Sequence, residues 1–333
     1  MRNNMNSKYA DRLDAMKAGA TTEKEIEAAI AKKKEMEYIA RFTDFLQTGE
    51  IVNALKEGSD GSGGYLVPKE YDKRLVEALK EENLLRKLGT VVNTEHDMLF
   101  TRQEKGVVGA WAAEGESYTF GEMTFGQIEL EAHKLMVGVR ITDELLSDAG
   151  FDVEDYTIRV FAEAIGEKEE EAFFTGQGEH IPTGLIYQAP NAVVTENTGT
   201  ITSDDMVQLI YSVPKPYREN AVWVMSEDAV CKLRQLKIYN GRRAWTESET
   251  EGEPSKFLGY KVYSTKCLDE VVTGSIPVLF GDFSYFWIGD RGKRVVRRLN
   301  ERFADQGQIG YMATQRVDAK LMQPKAVKSL EVK

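Results

Sequence analysis

The side chains of this 333-residue chain that could do chemistry are few. Its three histidines, His96, His133 and His180, share no metal-ligand spacing, so each reads as a polar strand or loop residue rather than as a zinc ligand or a base. Cys231 and Cys267 form no CxxC pair and cannot build a disulfide framework, so they read as buried, reduced thiols. The turn GQGEHIPTG (176–184) holds three glycines but matches neither GxGxxG after a strand nor GxxxxGK[ST]; it reads as a tight turn leaving a helix, not a phosphate cradle. No serine sits in a GxSxG elbow, and no cysteine has a base that sequence alone identifies. A pair of acids for glycoside hydrolysis could always be chosen from 54 Asp and Glu, so their abundance selects none. Catalytic residues, a cofactor and a metal are therefore not expected.

What does stand out is VVGAWAAEGESYTFGEMTFGQIEL (107–130), with Trp111, Tyr118, Phe120 and Phe125 set among four glycines. The segments beside it, TVVNTEHDMLFTRQ (90–103) and TFGQIELEAHKLMVGVRIT (124–142), alternate as strands do, each read here as one strand. Together they predict a long hairpin whose glycine-dotted end cannot easily cover its own apolar side chains. Two readings stay open: these aromatics pack into the chain's own core, or another chain covers them.

The elements that must position this flap follow from the rest of the chain. Hydrophobic residues at 42% and charged residues at 29% are ordinary globular values. No run of eighteen apolar residues occurs and the N-terminus lacks a secretory apolar core, so a cytoplasmic setting without membrane insertion is expected. Residues 1–57 have a helical texture with a thin stripe of Ile26, Ile30, Ile39 and Phe42, which needs a partner, and EGSDGSGGYLVP (57–68) reads as a flexible joint. One helix is predicted from Lys69 to a stop at Gly89, and a long one from the acids of DVEDY (152–156) to Gly176. From about Asn197 the mixture changes to an α+β lobe, with a helix capped by Ser203 or Asp204, the buried strand AVWVM and a helix capped by Ser226. Residues 239–256 read as a polar surface loop, and the closing strands as a return to the first lobe.

Charge is uneven. The net charge is -11, yet residues 152–171 carry eight acids against two bases while RGKRVVRRLNER (291–302) carries six bases against one acid. Opposite faces of this kind suit contact between copies or steered assembly. Against nucleic acid the basic run lacks a recognition signature, so only non-specific phosphate contact is expected.

In order and spacing, GGYLVPKEYDKRLVEALKEENLLRKLGTVV, then WAAEGESYTFGEMTFGQIELEAHKLMVGVRITDELLSD, then AEAIGEKEEEAFFTGQGEHIPTGLI resembles the major capsid proteins of tailed double-stranded DNA bacteriophages, whose fold is shared with encapsulins. The resemblance runs over roughly residues 60–333. It implies an α+β fold with these parts: a helical, scaffold-like or arm segment (1–58), an N-terminal arm and helix (59–89), an extended β-hairpin loop (90–140), a peripheral domain with a long spine helix (141–187 and 285–333) and an inserted axial domain (188–284). The implied role is a structural subunit, not an enzyme, that self-assembles into pentamers and hexamers of an icosahedral head. It would be built in the host cytoplasm with a scaffolding protein, a portal and a maturation protease, around double-stranded DNA. Subunit-interface candidates are Trp111, Glu114, Tyr118, Phe120 and Phe125 of the flap and Arg294, Arg297 and Arg298 of the basic run. Where some members carry a crosslinking lysine just after AAE, this chain has Gly115, so no isopeptide bond is expected. The alternatives are an encapsulin-like shell around an enzyme cargo and a two-lobed carbohydrate-acting enzyme.

Overall fold

The computed structural model describes residues 15–16, 22–49, 59–60, 64–105, 124–148, 152–236, 245–247 and 254–333. In chain order the elements are α1 (Glu23–Thr48), β1 (Ser59–Asp60), β2 (Gly64–Leu66), α2 (Lys69–Glu82), α3 (Leu84–Leu88), β3 (Thr90–Thr94), β4 (Met98–Lys105), β5 (Thr124–Leu130) and β6 (His133–Thr142). Next come α4 (Asp143–Ser147), α5 (Val153–Thr175), α6 (Leu185–Gln188), β7 (Asn191–Val194), α7 (Ser203–Ser212), α8 (Lys215–Arg218), β8 (Val222–Ser226) and α9 (Glu227–Gln235). The chain closes with β9 (Trp245–Thr246), β10 (Lys256–Phe257), β11 (Tyr260–Thr265), β12 (Val278–Gly281), β13 (Phe286–Arg291), β14 (Val295–Leu299), β15 (Gln308–Leu321) and β16 (Val327–Glu331). Two compact units divide it: Met1–Ala78, Met136–Ala162 and Lys293–Thr314 form the first, and Leu79–Leu135, Glu163–Gly292 and Gln315–Lys333 the second.

In the first unit, β14 pairs antiparallel with β2 and with the opening half of β15, from Val295↔Thr314 to Leu299↔Gly310. The helix α1 starts in a capping box of Thr22 and Glu25, which satisfies backbone N–H groups the first turn cannot. It stops at Gly49, whose φ of 78° is the left-handed geometry that glycine adopts without a Cβ clash. The thin stripe finds its partner here: Phe42, Phe45 and Leu46 are buried, and the Phe42 ring meets the edge of Tyr71 at 5.3 Å. Of the residues expected in that stripe, Ile26 and Phe42 are buried, whereas Ile30 and Ile39 remain half-buried. Tyr71 in turn shares a 3.0 Å hydrogen bond with Thr157 of α5.

The second unit holds a seven-stranded sheet in the order β7-β16-β12-β8-β11-β10-β9. Its central strands β8 and β12 are almost wholly buried, as VWVMS and VLFG require, since a strand covered on both faces reads as an apolar run rather than an alternation. Trp223, Phe257 and Phe280 cluster at its centre, Trp223 meeting Phe257 edge to face and Phe280 at a tilt, with Met206 and Leu209 of α7 and Leu233 of α9 in the same core. A second cluster gathers Leu85, Phe173, Phe174, Phe286 and Ile288 around β13, which pairs in parallel with β3 and antiparallel with the closing half of β15.

Several expectations are corrected. The helix read as continuous from Lys69 breaks at Asn83, whose side chain accepts from the N–H groups of Leu85 and Arg86 and so caps a new helix. Each strand read beside the flap is two strands: β3 pairs with β13 and β4 with β5, so the backbone must change partners across 95–97, and it breaks again at 131–132 between β5 and β6. Thr202, not Ser203 or Asp204, caps α7, because Asp205 returns a bond to the Thr202 N–H. Cys231 is exposed rather than buried, since α9 turns Ala229 and Leu233 into the core instead. The last closing strand, β16, joins β12 and β7 in the sheet of the inserted region rather than returning to the first lobe.

Candidate assembly flap and its root

Trp111, Glu114, Tyr118 and Phe120 lie outside the described residues, as does most of the loop 239–256. Phe125 is placed by its backbone in β5, opposite Gln103 of β4. What the structure describes is the antiparallel ribbon β4–β5 on either side of 106–123, which pairs with no further strand among the described residues. Leu99 on it is 62% exposed.

The root of this ribbon is built with care that the sequence did not reveal. Arg291, the last residue of β13, makes an ion pair with Asp97 at 2.5 Å and donates to the Leu130 carbonyl at 3.2 Å, so one guanidinium holds the start of β4 and the end of β5. Phe100 meets Trp287 edge to face at 4.9 Å. Leu130 is buried over Gly289, where an added Cβ would stand 3.2 Å from its side chain. Asp318 is fully buried and accepts from the Glu131 N–H at 2.9 Å and the Ala319 N–H at 2.8 Å. Burial pushes the Asp318 carboxyl above its ordinary range; Lys320, the two backbone donors and His133 pull it back only in part. His133 Nε2 lies 3.7 Å from Asp318 and 3.8 Å from Glu131, which places this histidine at the root.

Behind the root, Arg86 is enclosed without solvent contact. It donates to Glu169 at 2.5 and 2.7 Å and to Asp290 at 2.7 and 3.0 Å, while Gln315 donates to Glu169. Desolvation opposes the charge of Arg86, but the two facing carboxylates outweigh it and hold the guanidinium protonated. This cluster fixes α3, α5 and β13 to one another. Its only trace in the sequence is an arginine on the apolar face of NLLRKLG, which sequence reasoning passed over.

The basic run has internal duties in the first unit. Arg294, expected at a subunit interface, is buried and pairs with Asp72 of α2 at 2.8 Å, while its carbonyl accepts from Val67. Arg298 donates to the Tyr311 hydroxyl and to the Gln47 carbonyl, both at 3.2 Å, which ties it to the end of α1. Arg297 is half-buried. The acidic run is similarly occupied in part: Glu154 accepts from Arg74 and from Thr43, and Asp155 also pairs with Arg74. Among the described residues no cluster of His, Cys, Asp or Glu could hold a metal ion, and no helix is long and apolar enough to cross a membrane.

This fold recurs in solved capsid structures. The capsid protein of a native GTA particle matches with a TM-score of 0.65 and 26% identity over 74% of this chain and 89% of its own. That of the empty GTA particle gives 0.66 and 25% over 75% and 90%. The structure from Gordonia phage Cozz, at 13% identity and a TM-score of 0.55 over 75% of this chain and 86% of its own, shares the fold. The fold is thus that of a shell-forming capsid subunit. The chain belongs to the phage capsid family, whose model matches residues 63–332. A curated relative, the major capsid protein of Klebsiella oxytoca phage phiKO2, is 24% identical over 293 residues, 84% of this chain and 68% of that protein.

Proposed function

We propose that this capsid shell subunit uses the flap 107–123 as its principal contact with a neighbouring copy. The observation that carries the reading is the ribbon β4–β5, which has a fixed root but no further strand among the described residues and exposes Leu99. A lone two-stranded ribbon is marginal in water, so a covering surface is required for it to hold its shape. Trp111, Tyr118, Phe120 and Phe125 would supply the apolar anchors, of the type worth about 2 kcal/mol or more when buried at an interface. Glu114 and Arg297 complete the proposed contact set, while Arg294 and Arg298 act indirectly, Arg294 by holding α2 through Asp72 and Arg298 by holding the end of α1 through the Gln47 carbonyl. The test is Trp111→Ala: the chain keeps its helix signal and solubility but fails to form closed shells under negative-stain electron microscopy. Loss of solubility and helix signal together would instead put Trp111 in the chain's own core.

Around this contact, residues 141–187 and 285–326 act as the peripheral part and 188–284, joined by β16, as the axial part of pentamers and hexamers. A scaffolding protein, a portal and a protease take part in building the head in the host cytoplasm, and double-stranded DNA is enclosed with non-specific contacts only. With Gly115 at the expected crosslinking position, the shell holds together without isopeptide bonds. The family consists of structural proteins, and relatives that are phage and GTA capsids favour this role over a cargo compartment or a carbohydrate-acting enzyme.

A further inference from the structure

We propose that the first unit contains a helix-binding groove, filled in this chain by the last turns of α1, which holds its helix by contacts alone, so that α1 stays bound when the chain between Gly49 and Gly64 is cut. The ligand it takes is an amphipathic helix that carries Phe-x-x-Phe-Leu in its final turns and ends in glycine, as FTDFLQTG (42–49) does.

The apolar anchors have helical spacing. Phe42, Phe45 and Leu46 stand at i, i+3 and i+4, which sets them on one face, and all three are buried. The Phe42 ring meets the edge of Tyr71 on α2, and the Thr43 hydroxyl donates to Glu154 on α5 at 2.7 Å.

The groove also recognises the end of the helix. The last carbonyls of a helix lack intrahelical donors, and α1 has no basic side chain in its last turn to cover them. Strands β15 and β14 supply the missing donors: the Tyr311 hydroxyl donates to the Leu46 carbonyl and Arg298 to the Gln47 carbonyl, while Arg298 is itself held by Asn300 at 2.5 Å. Gly49 then turns the chain away in left-handed geometry, where an added Cβ would meet Arg298. Anchors, capping donors and stop all act within residues 42–49, before the joint begins.

Site and ligand are separable in sequence. The helix carries its own start, the capping box of Thr22 and Glu25, as well as its own stop. It precedes residues 63–332, the part that the family shares, whereas Tyr71, Glu154, Arg298 and Tyr311, which receive it, all lie inside that part. The shell subunit thus builds the groove, and a segment outside the shared part fills it.

The test uses the full chain with a protease recognition sequence inserted between Asn53 and Ala54. After the cut, gel filtration under native conditions is expected to carry both pieces in one peak, with two bands on a denaturing gel. A cut piece that elutes apart from the remainder overturns the proposal. A fluorescent peptide of residues 22–49, added in excess, then reads how fast the cut piece leaves. Leu46→Ala is expected to speed that exchange about thirtyfold, from the lost burial. Tyr311→Phe, which keeps the ring and removes one donor, is expected to speed it about fivefold. Exchange that is unchanged in both variants would show that these contacts do not hold the helix. The same cut is made in assembled particles: a piece retained there but lost from the unassembled chain would mean that neighbouring copies hold α1, which equally removes the groove.

Discussion

At the scale of single residues, the informative groups are buried charges that the sequence does not flag. Arg86 faces two carboxylates in a buried site, so removing it leaves Glu169 and Asp290 buried and uncompensated. Replacing Arg86 with Met is expected to destabilise the unassembled chain by about 3–5 kcal/mol, measured by chemical denaturation. Asp318 gives a pH dependence of opposite sense to most carboxylates. Its pKa is raised in the folded state, so the native chain binds a proton more readily than the unfolded one. Stability contributed by Asp318 is therefore lowest at neutral pH and recovers as pH falls through the raised value toward the ordinary aspartate range. The stability of the native sequence relative to Asp318→Asn is expected to improve over that fall; a difference that is flat with pH would remove the effect.

Among the elements, α1 shows how a weak stripe becomes a docked helix. Sequence periodicity found Ile26, Ile30, Ile39 and Phe42, but the last turn carries the contact: Phe45 and Leu46 are buried, the Tyr311 hydroxyl donates to the Leu46 carbonyl, and Arg298 reaches Gln47. That partner surface comes from α2, β14 and β15, far along the chain, so no local pattern could announce it. Leu46→Ala is expected to cost about 2–5 kcal/mol of stability by calorimetry or denaturant titration, as for other fully buried leucines. Gly49→Ala should add a separate loss, because an alanine there would take a left-handed geometry with its Cβ against Arg298. A chain trimmed to begin after Gly49 should melt lower than the full chain, since the groove that holds Phe42 and Leu46 would be left open to water.

For the molecule as a whole, the opposed acidic and basic runs are partly internal, and this limits what salt can do to assembly. Glu154, Asp155 and Glu169 are taken by Arg74 and Arg86, Glu171 by Lys168, and Arg294 by Asp72, which leaves Glu163 and Glu167 among the exposed acids of α5 to face other surfaces. Assembly followed by light scattering is expected to weaken as salt rises, but modestly, because exposed pairs are screened beyond about 8–10 Å while the buried ones persist. Assembly indifferent to salt would place the shell contacts on apolar burial alone.

The sequence by itself determined the class of the molecule: ordered segments from GGYLVP to the turn after α5 carry the resemblance, and local rules located α5, β8, α9 and the ribbon strands, because caps, alternation and apolar runs are properties of neighbouring residues. Only the tertiary structure decided what depends on distant partners. The break of one expected strand into β3 and β4 follows from which strand each half pairs with, and β16 sits in the second sheet because β12 and β7 offer it open edges. Arg291, Arg86 and Asp318 look like ordinary surface charges in sequence; their roles exist because folding brings Asp97 and Leu130 to Arg291, Glu169 and Asp290 to Arg86, and the Glu131 N–H to Asp318, and at the buried Arg86 and Asp318 a charge without a partner would be too costly to keep.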